Sequence, residues 1–201
     1  MPGQRKMYPK GEPTLVVMVK EPRPGRVKTR LGHEIGMVAA AWWFRHQTGS
    51  LLRRVRDPRW RVVLAVSPDR EGLSSRVWPA ELLKRPQGRG DLGDRMRRQF
   101  KLSGQGPVCI IGADIPGVER RHIATAFRAL GSADAVFGPA PDGGYWLVGL
   151  RNPTLATPAA FSSVRWSSEH ALADTLASIP GYGTTLIDTL RDVDRAADLL
   201  A

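Results

Sequence analysis

The chain has 201 residues, 42% of them hydrophobic and 24% charged, with a net charge of +11 carried mostly by arginine. That length is enough to bury a core in one domain, and the apolar runs fall far short of the roughly 20 residues that span a bilayer, which excludes a membrane-spanning reading. The lone cysteine, Cys109, has no partner for an internal disulfide and sits in an apolar run, the pattern of a buried thiol in a reducing, cytoplasmic compartment.

The basic and proline-rich residues 1–13 have no apolar core of a secretory signal and are expected to be flexible; residues 14–201 are expected to form a single domain. From there short β-branched runs alternate with amphipathic stretches, the pattern of βαβ units and a mainly parallel sheet. Residues 14–20 (TLVVMVK) read as a central strand, followed by a polar loop over 21–28 and a long helix from about 36 to 55. Trp42, Trp43, Phe44, Leu51 and Leu52 are expected to form that helix's apolar side. Strands are predicted at 61–67, 82–85, 107–112, 133–137, 145–150 and 184–187. Helices are predicted at 91–102, 119–130, 168–178 with Ser167 or Ser168 as cap, and 194–200 capped by Asp192 or Asp194.

In an open α/β sheet, ligands bind beyond the carboxyl ends of the strands, so the residues after each strand carry the functional information. After the first strand comes KEPRPGRVKTRL, which crowds Lys20, Arg23, Arg26, Lys28 and Arg30 around Gly25. Cations and free backbone N–H groups at a helix start make an anion site. The spacing is neither a Walker P-loop nor a Rossmann glycine fingerprint. After the third strand, Gln87, Gly90, Asp91 and Gly93 offer either close backbone approach to a phosphate or a plain turn with Asp91 as a helix cap. Asp114 follows a buried strand, where a carboxylate suits a hard divalent cation, Mg2+ or Mn2+, shared with substrate phosphates. Asp142 precedes Gly143, Gly144 and Tyr145, a turn that leaves room for a substrate. Asp192 and Asp194 add two carboxylates near the end of the chain. His33, His46, His122 and His170 lack metal-ligand spacing and are expected to be structural or surface residues. Scattered arginines with no interleaved aromatics point to a phosphate-bearing small ligand rather than nucleic acid.

Six segments taken in order, VVMVKEPRPGRVKTRL, QGRGDLGDRM, IIGADIPGV, PAPDGGYWLVGL, FSSVRWSS and LRDVDRAADL, resemble a bacterial family of unknown function. That family is classed with the glycosyltransferase-A-like nucleotide-diphospho-sugar transferases. More distantly, Lys28–Leu31 is similar to a loop of 2-phospholactate guanylyltransferases, and residues 112–116 and 192–194 to molybdenum-cofactor nucleotidyltransferases. The resemblance implies a three-layer, Rossmann-like α/β fold with a mixed, mainly parallel sheet. It implies a metal held by Asp114 with Asp142 or Asp194, and a nucleotide in the N-terminal half. Two departures stand out: the Asp-x-Asp pair of glycosyltransferases is absent at Asp114, and a proline-containing loop replaces the glycine-rich one of sugar nucleotidyltransferases.

Two activities follow as expectations. In glycosyl transfer from a nucleotide-sugar, Lys28 and Arg30 stabilise the departing diphosphate and Asp142 orients or deprotonates a small acceptor held near Gly143, Gly144, Tyr145 and Trp166. In nucleotidyl transfer, pyrophosphate leaves and Arg23 and Arg26 receive an anionic acceptor. A non-catalytic nucleotide-binding protein is a third reading. Residues 156–166 are read as either a lid or a contact in a homodimer.

Overall fold

A computed structural model describes residues 11–200. The flexibility expected at the N-terminus falls, up to residue 10, outside the described residues. Residues 11–13 lead straight into the sheet, where the Pro13 carbonyl accepts the Arg61 N–H at 3.0 Å.

Among the described residues seven strands form one sheet: β1 (Thr14–Lys20), β2 (Arg61–Ser67), β3 (Leu83–Pro86), β4 (Val108–Ile111), β5 (Ala135–Pro139), β6 (Tyr145–Leu150) and β7 (Thr184–Leu186). Their order is β3-β2-β1-β4-β6-β5-β7. All neighbours run parallel except β6, which is antiparallel to both β4 and β5. The chain winds outward from β1 to β3 and then crosses back to β4, so the switch point of the winding lies between β1 and β4. A crevice opens there beyond the strand ends. Because β6 runs the other way, it begins where β4 and β5 finish, which puts the turn before Tyr145 on the same edge.

The helices are α1 (Thr29–Ile35), α2 (Met37–Arg54), α3 (Asp69–Ser74), α4 (Leu92–Leu102), α5 (Arg120–Ala129) and α6 (Ala171–Ala177), with 3-10 turns at Pro153–Leu155 and Ala196–Leu200. Successive side chains of β1 point to opposite faces. Leu15, Val17 and Val19 pack with Phe44, Leu51 and Leu52 of α2 and with Ile123 and Ala126 of α5. Val16 packs on the other face with Met96 and Phe100 of α4 and with Phe161. Both faces are covered, which is why β1 reads as a continuous apolar run. Cys109 is fully buried in β4, and burial pushes its thiol pKa well above the ordinary value.

Several expectations are corrected. Trp42 leaves the apolar side of α2: it is 62% exposed and its ring lies 3.8 Å from that of His46. Buried Ala40, Ala41, Phe44, Thr48, Leu51 and Leu52 recur at helical spacing on the face that meets the sheet. The helix α6 starts at Ala171, three residues late, because Ser168 Oγ accepts the His170 N–H and donates to the Arg165 carbonyl, which holds a turn instead of a cap. At the C-terminus neither Asp192 nor Asp194 caps the last turn; the Asp198 carboxylate takes the N–H groups of Asp194 and Arg195. Among the described residues no helix is long and apolar enough to cross a membrane.

Candidate active site

A cleft of about 1000 Å³ lies at the switch point and is lined from both sides of it. The loop after β1 supplies Lys28, whose backbone takes the left-handed conformation (φ 46°) immediately before α1. This bend, uncommon for a residue with a Cβ, ends the extended loop and begins the helix. The lysine side chain is only 7% exposed.

Its ammonium lies 2.7 Å from Asp114 Oδ2, 2.9 Å from Asp194 Oδ1 and 3.8 Å from Asp192 Oδ2. Arg30 donates to the other Asp194 oxygen at 2.8 Å. The carboxylates reach one point by different routes. Asp114 stands just past the end of β4. The C-terminal segment runs across the strand ends after β7: the N–H groups of Ile187, Leu190 and Val193 donate to the carbonyls of Phe137, Pro139 and Asp114 in turn. Val193 is buried, and its two neighbours, Asp192 and Asp194, face Lys28.

Burial alone would lower the Lys28 pKa, but the charge and hydrogen bond of Asp114, then those of Asp194, hold it above its ordinary value. Asp192 is pushed up to about 6, first by burial, with Lys28 opposing and Asp114, Asp194 and Asp142 repelling its charge. Burial acts to raise Asp194 too, yet Lys28 and then Arg30 keep it below the usual carboxylate range.

The donor set suits a hard divalent cation: carboxylate oxygens from the end of β4 and from the C-terminal segment, open to a cleft. Among the described residues no three His, Cys, Asp or Glu side chains are gathered so as to hold a metal ion alone. One or two carboxylates plus substrate phosphates complete a magnesium shell, so Asp114 with Asp194 or Asp192 fits on that basis.

Lys20, Lys28, Arg30, Gln87, Gly90, Asp91, Asp114, Asp142, Gly144, Tyr145, Trp166 and Asp194 all line the cleft. Arg23, Gly25, Arg26, Gly93 and Gly143 do not. Arg23 and Arg26 are exposed, and Arg26 lies 3.9 Å from Glu71. Gly25 is a turn residue (φ 73°) with open space around it. A Cβ at Gly93 would strike the Phe161 carbonyl, and one at Gly143 the backbone of Glu169, so both glycines serve close packing. Gln87 is a brace as well as a lining residue: its amide nitrogen donates to the carbonyls of Val19 (3.1 Å) and Ala65 (2.9 Å). Asp91 closes a capping box with Asp94 at the start of α4.

In the turn before β6, Asp142 Oδ1 accepts the Gly144 N–H at 3.0 Å. The Tyr145 hydroxyl reaches Thr175 Oγ1 at 3.3 Å, and burial pushes its pKa up. The indole N–H of Trp166 is buried without an acceptor. Within residues 156–166, Ala156, Ala160, Phe161 and Val164 are buried, and Arg97 donates to the Pro158 and Ala160 carbonyls. The histidines agree with a structural reading. His122 is buried with Nδ1 accepting the Glu119 N–H, and His46 contacts Trp42.

Sequence reasoning left out Thr29, Arg95, Ser167, Ser168 and Glu169, all of which line the cleft, and did not assign Asp192 to the site. For Asp192 a signal existed. Two aspartates separated by one apolar residue share a side of an extended chain.

The chain matches the family described as "Uncharacterized protein conserved in bacteria (DUF2064)" over residues 51–168, and it belongs to that family. Comparison with curated proteins gave no match. Among solved structures the chain is similar to a protein of Desulfovibrio desulfuricans G20 provisionally named a nucleotide-diphospho-sugar transferase. The TM-score is 0.79 at 26% identity, covering 92% of this chain and 83% of that one. It is also similar in fold to 4-diphosphocytidyl-2C-methyl-D-erythritol synthase of Anaerococcus prevotii DSM 20548 (TM-score 0.60, 8% identity, 94% and 93% covered). A third likeness is to Rv0371C of Mycobacterium tuberculosis H37Rv in complex with manganese (TM-score 0.52, 14% identity, 96% and 97% covered). The fold is that of the nucleotide-diphospho-sugar transferases.

Proposed function

We propose that the protein is a metal-dependent transferase that uses a nucleotide-sugar donor and passes the sugar to a small hydroxylated acceptor. The observation that carries this reading is the convergence of Asp114, Asp192 and Asp194 with Lys28 and Arg30 at the β1–β4 switch point. Supporting it are the likeness to the Desulfovibrio protein and, for the metal, the manganese complex of the Mycobacterium protein.

Asp114 and Asp194 would hold Mg2+ or Mn2+, which when bound supplies charge neutralisation to a donor diphosphate. Lys28 and Arg30 add positive charge beside the oxygen that becomes anionic as the diphosphate leaves. Asp142, in the turn before β6, orients the acceptor hydroxyl and takes its proton as the new C–O bond forms and the sugar–phosphate bond breaks. Trp166 and Tyr145 offer apolar surface to a ring, and Gly144 leaves it room.

Glycosyl transfer is favoured over nucleotidyl transfer to an anionic acceptor because Arg23 and Arg26, the residues expected to receive such an acceptor, do not line the cleft, whereas the carboxylates Asp142 and Glu169 do. The test is product analysis with Mn2+, comparing nucleotide-sugars and nucleoside triphosphates across a panel of hydroxylated acceptors. Nucleoside diphosphate release is expected. Release of pyrophosphate instead would overturn glycosyl transfer in favour of the nucleotidyl reading.

A further inference from the structure

The Lys28 ammonium stands where a cation shared by Asp114, Asp192 and Asp194 would stand. Three carboxylates surround it at 2.7–3.8 Å, and the side chain is almost fully enclosed. A divalent ion binding one or two of these carboxylates at about 2.0–2.6 Å would lie within a few ångströms of the ammonium, and two positive charges that close repel strongly in a partly desolvated site.

We propose that Lys28 is the resident counter-ion of the cation site. It holds the three carboxylates when no donor is bound, and it moves to the donor's phosphates when a divalent ion arrives chelated to them. This rests on the metal-dependent reading above and adds two things to it. Asp192 belongs to the carboxylate set, and free metal is refused in favour of metal already carrying a diphosphate.

The surroundings suit such an exchange. Arg30 grips the second oxygen of Asp194, so that carboxylate stays in place when the lysine departs. The Val193 N–H bond to the Asp114 carbonyl keeps the two acid-bearing segments in register. Lysine carries its charge on a flexible four-carbon stem with rotatable donors, which suits it to swap partners. Charge counting gives the direction. Three carboxylates against Lys28 and Arg30 leave a single net negative charge, a poor trap for a free divalent ion. Transfer of the ammonium to incoming phosphates restores the second. Metal and diphosphate then raise each other's affinity by the same factor.

The experiment titrates the full chain with Mn2+, read by electron paramagnetic resonance of the free ion, with and without methylenebisphosphonate as an uncleavable diphosphate, each titration set against a protein-free one that accounts for the Mn2+ the bisphosphonate itself chelates. For the unaltered chain, Mn2+ affinity is expected to rise at least tenfold when the bisphosphonate is present. For Lys28→Met, Mn2+ alone is expected to bind at least tenfold more tightly than it does to the unaltered chain, and the bisphosphonate's enhancement shrinks. Equal Mn2+ affinity of the two chains without diphosphate overturns the counter-ion proposal. If Lys28→Met does not fold, Lys28→Gln is titrated in its place: tighter binding of Mn2+ alone than by the unaltered chain supports the proposal, and equal affinity overturns it. A complete absence of Mn2+ binding in both conditions sinks the metal-dependent reading itself, so the two failures are told apart.

Discussion

The two walls of the donor side of the cleft are built on opposite plans. At the β1–β4 corner, Lys28 meets carboxylates from segments far apart in sequence, and its charge is shared among three of them. At the loop before α4, residues 87–94 are held by the fold itself: Asp91 and Asp94 close a capping box, the Arg98 guanidinium fills the space beside Gly88, and Gln87 braces β1 and β2. The first wall gathers charge that its own fold only just balances. The second spends its polar groups on holding shape. A corner of the first kind is built to exchange partners with a ligand, whereas a loop of the second kind presents a fixed surface to one.

The sharpest way to break this contrast is at the corner. Asp114→Asn is expected to lower kcat for donor turnover on the order of 10²–10³-fold, as the loss of a group that stabilises transition-state charge does, while the protein stays folded by circular dichroism. Unchanged kcat would remove the corner from the chemistry.

The shape-holding side is probed by glycines. Gly93→Ala would push a Cβ into the Phe161 carbonyl and against Trp166, and is expected to cost about 2 kcal/mol of overpacking, roughly 4–8 °C in Tm. Gly25→Ala, with open space around it and only its positive φ to strain, is expected to cost about 1 kcal/mol. Thermal melts in which Gly25→Ala is the more damaging of the two would reverse the assignment of Gly93 to packing.

The smallest effect is electrostatic and returns to the corner. Asp192 binds its proton more tightly in the folded state, with a pKa of about 6 against 3.8 unfolded. Its contribution to stability is therefore fully present below pH 3.8 and is lost as pH rises through 6. Asp192→Asn should leave Tm nearly unchanged at pH 3.5 and raise it at pH 7.5. The gain is about 1 kcal/mol after allowing for the solvent screening of a one-third-exposed carboxylate, near 3 °C. A variant less stable than the unaltered chain at pH 7.5 would show that Asp192 is held mainly by its attraction to Lys28.

Much of the frame was legible beforehand. The bounds of β1, β2 and β6 follow from their apolar runs, because strands covered on both faces must be apolar along their length. Asp114 was legible for a related reason: a carboxylate at the tip of a buried strand marks the ligand-binding edge of an α/β sheet. The short helices α1 and α3 were not, since seven and six residues carry too little periodicity to register. Nor was the fate of Trp42, because an aromatic next to an apolar stripe looks the same in sequence whether it faces the sheet or solvent.

The order of residues by itself determined the strands, the Rossmann-like α/β class, the acid at the end of β4 and the family, all of which rest on local apolarity and short-range motifs. Tertiary structure alone decided which charges meet. Lys28 turns inward while Arg23 and Arg26, a few residues earlier, turn out, and the aspartates it finds are 86 to 166 positions further on. The reason is physical: local propensity places backbone segments, but the partner of a charge is set by where distant segments end on the folded sheet.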